Sequence, residues 1–185
     1  HGYANTPRRV KEASDTAMRT LIEAGLVGEN GERPELHYNE WNYVKAWAGD
    51  LYKYSRKAAK RLKGASFVAG CMCVGQQSDI DMMMYYDARP DKEYNGLWDS
   101  HFILPLKGYY AFDFFSALYQ LGTQAKLECD QDDIYALAAT DGETGAVVIS
   151  YYTNDTEATD KTFTVSLAGT NRSAAMGGGI TEALL

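Results

Sequence analysis

The spacing of the apolar residues changes at Gly122, and this change limits the folds that the chain can adopt. Before Gly122, several segments repeat apolar residues at helical spacing. After Gly122, apolar and polar residues alternate in short runs that are separated by turn signals such as Asp141-Gly142. The pattern predicts an α/β region at 1–122 and a second, β-rich domain at 123–185.

Four helices are predicted in the first region. The first begins at Thr6-Pro7, a capping hydroxyl followed by proline at the first helical position, and ends before Gly25. A second helix is expected after Asp50 as its N-cap, with one apolar face formed by Leu51, Tyr54, Ala58 and Leu62. The small, thiol-rich stretch 65–74 predicts a buried helix, and 107–121 predicts a helix that Gly122 stops.

Strands are predicted on both sides of the boundary. One short strand ends near Glu40, and the nearly continuous apolar run at 80–86 is typical of a parallel strand that is covered on both faces. Consecutive strands without helices suggest an antiparallel sandwich in the second domain. Its strands are expected at 126–129, 134–140, 146–152 and 162–167.

Composition excludes several classes of function. The formal net charge is -7, and the basic stretch 53–63 is explained as the solvated face of a helix, so no nucleic acid is expected as a partner. No apolar run is long enough to span a bilayer, so no membrane partner is expected either. Three cysteines without a metal or redox spacing, and three scattered histidines, predict free, mostly buried thiols, no metal and no cofactor.

Two carboxylates end predicted strands, and in a β/α barrel the ends of the strands face the substrate. Glu40 lies between Asn39 and Trp41, where amides can keep a carboxylate ionised and an indole can form one wall of a sugar site. An exposed loop-edge carboxylate is the alternative for Glu40. A structural residue in a salt bridge is the favoured interpretation of Asp87.

Four segments together resemble the last quarter of clan A glycoside hydrolases, closest to the xylosidase-type enzymes of family 39. The segments are 37–43, 84–89, 94–97 and 107–112. The resemblance implies that the first 122 residues are the C-terminal part of a (β/α)8 barrel, followed by an accessory β-sandwich. It implies that Glu40 is the nucleophile and that the sugar site is lined by His1, Tyr3, Asn39, Trp41 and Tyr85.

The same resemblance implies a retaining double displacement on an oligo- or polysaccharide, which needs a second carboxylate as acid and base. No residue of this chain matches it, since Glu32 and Glu35 lie on or before the same strand. The chain is therefore expected to be a truncated piece, inactive alone, whose open strand edges favour self-association. A non-catalytic carbohydrate-binding or assembly module is the alternative, and a structural remnant is a third.

Overall fold

The computed structural model describes residues 6–154, 160–162 and 164–166. The chain divides into two compact units, His1–Asn154 and Asp155–Leu185. In the second unit, residues 160–162 and 164–166 belong to no helix or strand. The strand predicted at 162–167 is therefore wrong for its described residues, and the others lie outside the described ranges.

The elements of the first unit, in chain order, are α1 (Pro7–Glu23), β1 (His37–Trp41), α2 (Gly49–Ala59), α3 (Leu62–Gly75), β2 (Met82–Tyr85), α4 (Lys107–Leu121), β3 (Thr123–Ala125), β4 (Ile134–Thr140) and β5 (Gly145–Tyr151).

The helices lie where the sequence predicts them, but their ends are held differently. Thr6 precedes α1 and Pro7 is its first residue, yet the Thr6 side chain makes no capping hydrogen bond. The prediction that Asp50 caps α2 is wrong, because Asp50 lies in the first turn and pairs with Lys53 at 3.1 Å. Gly122 ends α4 as predicted, with a φ of 79° that an L residue adopts only at a cost.

The predicted apolar face of α2 is only partly buried. Leu51 and Leu62 are more than half exposed, whereas Ala58 is buried. Leu62 belongs to α3, and a Cβ at Gly64 would lie 2.5 Å from the backbone of Ala59. The two helices therefore approach closely at their connection, through the small residues Ala59 and Gly64.

Helix α3 is the centre of the core, as its small, thiol-rich sequence predicts. The ring of Phe67 is buried and packs edge-on against Tyr43 and Tyr152, each with a centroid distance of 5.4 Å. A Cβ at Gly70 would lie 2.8 Å from the Pro7 ring. Glycine at this position allows α1 and α3 to approach closely.

Strands β1 and β2 form a two-stranded parallel sheet, which confirms the parallel pairing predicted for 80–86. Met83 packs against the core, but Met82 and Met84 on the other face are 46% and 40% exposed. The prediction that both faces are covered is thus wrong within the described residues. The register pairs His37 with Met82, Tyr38 with Met83 and Trp41 with Tyr85.

Strands β3, β4 and β5 form one antiparallel sheet in that order. β4 and β5 pair along their whole length, and the carboxylate of Asp141 holds the hairpin by accepting the N–H groups of Glu143 and Thr144 at 2.8 and 2.6 Å. The strand predicted at 126–129 is wrong, because pairing with β4 uses the residues that directly follow Gly122. The described residues after Gly122 form only this one sheet, so the second sheet that a sandwich needs is not found among them.

The antiparallel sheet packs on α3 within the first unit. The hydroxyls of Ser66 and Ser150 lie 3.1 Å apart, and Ser150 donates to the Ser66 carbonyl at 2.7 Å. Tyr152, just after β5, is buried against Phe67. The separate domain predicted from residue 123 onwards stays a prediction.

Candidate functional site

The carboxyl ends of β1 and β2 lie side by side, as expected of parallel neighbours. The Tyr86 N–H donates to the Trp41 carbonyl at 2.9 Å, just where both strands end. Side chains that follow these ends come from the same edge of the sheet, which is where ligands bind in parallel α/β folds. This edge is the candidate site.

Glu40 is exposed at this edge because β1 carries a bulge. From Tyr38 to Trp41 the chain advances three residues while its partner advances two, from Met83 to Tyr85. The extra residue places both Asn39 and Glu40 on the exposed side, with Tyr38 and Trp41 half-buried on either side of them. Bulges of this kind re-aim side chains and are enriched beside active sites.

The carboxylate of Glu40 makes no hydrogen bond or ion pair with any residue in the described ranges. Asn42, which directly follows Trp41, is one of the neighbouring amides that could donate to this carboxylate, and for Asn42 that expectation is wrong. The Asn42 amide instead donates to the carbonyls of Tyr86 and Tyr94, the latter at 2.6 Å, and its oxygen accepts the Tyr43 N–H at 2.6 Å. Asn42 therefore joins the end of β1 to the end of β2 and to the loop that follows.

Trp41 and Tyr85 stand on the helix side of the sheet. Their rings meet edge-on at 5.5 Å, and Tyr85 meets Phe112 of α4 at 5.6 Å. Burial raises the pKa of Tyr85 to about 12, so its hydroxyl stays protonated at neutral pH. A Cβ at Gly96 would lie 2.6 Å from that hydroxyl, so the close approach of the loop requires glycine there.

Asp87, the second carboxylate at a strand end, is buried in an ion pair with Arg89. The Arg89 Nε–H lies 2.9 Å from Asp87 Oδ2, and the Arg89 backbone N–H donates to Asp87 Oδ1 at 2.8 Å. These hydrogen bonds hold the pKa of Asp87 below its usual range. The structural interpretation of Asp87 is confirmed.

The loop from Asp87 to Leu106 brings further aromatic rings to the same edge. Tyr94 contacts Trp47 and Tyr86, with centroid distances of 5.9 and 5.8 Å. Trp98, by contrast, packs against Tyr109 of α4 at 4.9 Å and anchors the loop. Trp47 is not among the predicted site residues. The available signal was its place six residues after the end of β1.

The structure does not place every residue that was named from the sequence at this edge. His1 and Tyr3 lie outside the described residues. Glu35 lies before β1 and its carboxylate contacts the ring of His37 at 2.9 Å, at the opposite end of the strand from Glu40.

Among the described residues, no group of three or more histidine, cysteine or acidic side chains is placed to hold a metal ion. In the same ranges no helix combines the length and apolarity that a bilayer crossing needs.

The sequence has no match among models of protein families or among curated proteins. Among solved structures, the chain is similar to a glucosidase from Croceicoccus marinus, with a TM-score of 0.54 and 20% sequence identity. The similarity covers 81% of this chain and 31% of the glucosidase chain. The mixed helix and strand fold described above is thus shared with part of a glucosidase.

Proposed function

We propose that this chain is the C-terminal part of a retaining glycoside hydrolase of xylosidase type, in which β1 and β2 are the last two strands of a (β/α)8 barrel. Glu40 is the nucleophile in this proposal. The observation that carries it is the exposed carboxylate of Glu40, which no described residue binds, at a bulge on the carboxyl end of a parallel strand. The likeness to part of a glucosidase supports the fold that the proposal needs.

The chemistry would proceed in two displacements. A Glu40 carboxylate oxygen forms a bond to the anomeric carbon, while the glycosidic oxygen leaves with a proton from an acid outside this chain. Water then attacks the anomeric carbon and gives a proton to that same group outside this chain, now deprotonated, so the Glu40 carboxylate leaves and the sugar is released with its original anomeric configuration. The second carboxyl group must lie about 5 Å away in a retaining enzyme. Asp87 cannot supply it, because its carboxylate is held by Arg89.

The sugar-lining residues of the proposal contribute unequally. Asn39 shares the exposed side of β1 with Glu40 and is placed to donate to a sugar hydroxyl. Trp41 and Tyr85 are half-buried against α3 and α4, so a sugar would meet only their outer edges. His1 and Tyr3 complete the proposed lining.

The nucleophile is tested in the protein that carries this chain together with the remaining strands. Glu40→Gln should lower kcat for an aryl β-xyloside by about a thousandfold or more, because the glycosyl-enzyme ester cannot form. Glu40→Ala should regain turnover with azide and release the α-glycosyl azide. A 2-fluoro xyloside with a good leaving group should leave its ester on the peptide that contains Glu40.

Glu35→Gln is the matched control, since it changes an exposed glutamate at the other end of the same strand. It should retain activity. Full activity of Glu40→Gln, or an ester on a different residue, would refute the nucleophile assignment. Turnover by the 185-residue chain alone would refute the proposal that the acid lies outside it.

A non-catalytic carbohydrate-binding role is the second candidate. The exposed rings of Trp47 and Tyr86 favour it, because sugars stack their C–H faces on such side chains. In that case oligosaccharide binding should survive Glu40→Gln. No fluorinated glycoside should label this chain, either alone or within the protein that carries the remaining strands.

A further inference from the structure

Four aromatic side chains from three segments meet beside the carboxyl ends of β1 and β2. We name Trp47, Tyr52, Tyr86 and Tyr94 the Tyr94 cluster, because the Tyr94 ring contacts the other three at centroid distances of 5.8 to 6.4 Å. Trp47 is 52% exposed and Tyr86 is 39% exposed. The cluster therefore offers aromatic surface to solvent instead of closing on itself.

A polar network borders the cluster. The Tyr52 hydroxyl donates to one Glu93 carboxylate oxygen at 2.6 Å, and Arg56 pairs with the other at 3.2 Å. The guanidinium carbon of Arg56 also lies 5.7 Å from the centre of the Tyr52 ring. Glu93 and Arg56 both remain partly exposed, so each keeps free acceptor or donor positions toward solvent.

The cluster is held in place by two asparagine side chains, the half-buried Asn42 at the end of β1 and the buried Asn95 in the loop. Asn42 donates to the carbonyls of Tyr86 and Tyr94. Asn95, which is fully buried, accepts the N–H groups of Leu97 and Trp98, each at 2.9 Å. These hydrogen bonds fix the strand ends and the loop, so little further ordering is needed when a ligand binds.

We infer that the Tyr94 cluster is a binding subsite for one sugar ring of a β-linked oligosaccharide, next to the ring held at Glu40. The exposed faces of Trp47 and Tyr86 would stack on the C–H face of the ring, and Arg56 and Glu93 would donate to and accept from neighbouring hydroxyls. The position of this ring relative to Glu40 and the β linkage of the oligosaccharide rest on the proposed function. Recognition of the sugar itself does not.

The polar border distinguishes this surface from the exposed apolar residues of the neighbouring turn. Phe102, Ile103 and Leu104 are each at least 60% exposed, yet two of them are aliphatic. No carboxylate–guanidinium pair borders that turn in the described ranges. A sugar needs flat apolar surface and hydrogen-bonding groups together, and the Tyr94 cluster supplies both.

Titration of the 185-residue chain with xylotriose and with cellotriose, followed by calorimetry and by Trp fluorescence, tests the inference. At least one of the two should bind. Trp47→Ala should weaken that binding about tenfold, the effect of losing one well-stacked ring, and Trp47→Phe should restore most of it. Glu93→Gln should weaken it less, because the amide keeps one acceptor oxygen.

Tyr119→Ala is the matched control, since Tyr119 is an 81% exposed aromatic residue on α4 outside the cluster. Its affinity should equal that of the unchanged chain. The inference is overturned if neither trisaccharide binds, or if Trp47→Ala binds as tightly as Tyr119→Ala while both remain folded by circular dichroism.

The same titration on Glu40→Gln separates the two proposals. Retained binding of Glu40→Gln that depends on Trp47, together with no labelling by the fluorinated xyloside when Glu40 is intact in the protein that carries the remaining strands, would leave the subsite standing and remove the nucleophile. Labelling of Glu40, together with binding that Trp47→Ala does not weaken, would support the nucleophile and remove the subsite.

Discussion

The two sheets of the first unit differ in how completely their strands are paired and buried. β4 and β5 pair along seven residues each, and β4 is buried over most of its length. β1 and β2 are shorter, their register shifts at a bulge, and Met82 and Met84 are exposed on one face. The buried side chains of the core thus lie mainly around α3 and the antiparallel sheet. The candidate site lies at the end of the less covered, parallel sheet.

The largest expected effect tests the packed side of this comparison. Phe67→Ala should lower the free energy of unfolding by about 3–5 kcal/mol, because it removes a buried ring between Tyr43 and Tyr152. Met84→Ala, on the exposed face of β2, should stay within about 0.5 kcal/mol of the unchanged chain. Urea unfolding measures both. A loss at Met84 as large as that at Phe67 would mean that the exposed face of β2 is covered in solution.

A smaller effect is expected at Asp87 and Asp141, the two carboxylates that hold the loop after β2 and the β4–β5 hairpin. The pKa values of Asp87 and Asp141 are both lowered, by Arg89 in one case and by backbone N–H groups in the other. A lowered native pKa contributes stability above the ordinary value of about 3.9, and that contribution is lost as the pH falls through the native pKa. Thermal unfolding between neutral and strongly acidic pH should show this loss.

Substitution should separate these two carboxylates. Asp87→Asn should reduce stability at pH 7 and flatten the acid-induced loss, because it removes the partner of Arg89. Asp141→Asn should change both quantities less, since the Asn oxygen can still accept from Glu143 and Thr144. Equal losses for the two variants would show that the charge of Asp141, and not its hydrogen-bond geometry, holds the hairpin.

The smallest effect concerns the thiols. Burial raises the pKa of Cys73 to about 12 and that of Cys71 well above its usual range, while Cys129 is exposed. A maleimide at pH 7 should modify Cys129 in the native chain and all three thiols after denaturation. Cys129→Ser should block the native reaction and leave stability within about 0.5 kcal/mol. Native labelling of Cys71 would show that α3 opens readily.

Much of the local structure follows from the sequence. The helical spacing and Gly122 locate α4 correctly, and the apolar run at 80–86 identifies a parallel strand. Errors arose where a choice depended on a distant partner. β3 forms directly after Gly122, not at 126–129, because β4 pairs with those residues. Leu51 and Leu62 are exposed, although helical spacing places them on the predicted apolar face.

The sequence by itself determined the positions of the helices and the placement of Glu40 near the end of a strand, because periodicity and glycine stops act over a few residues. Only the tertiary structure decided that a bulge exposes Glu40, that Asn42 links two strand ends, and that Tyr94 gathers rings from three segments. The physical reason is that a bulge, a hydrogen bond and a ring contact each depend on which distant segment lies opposite. Local spacing carries no information about that neighbour.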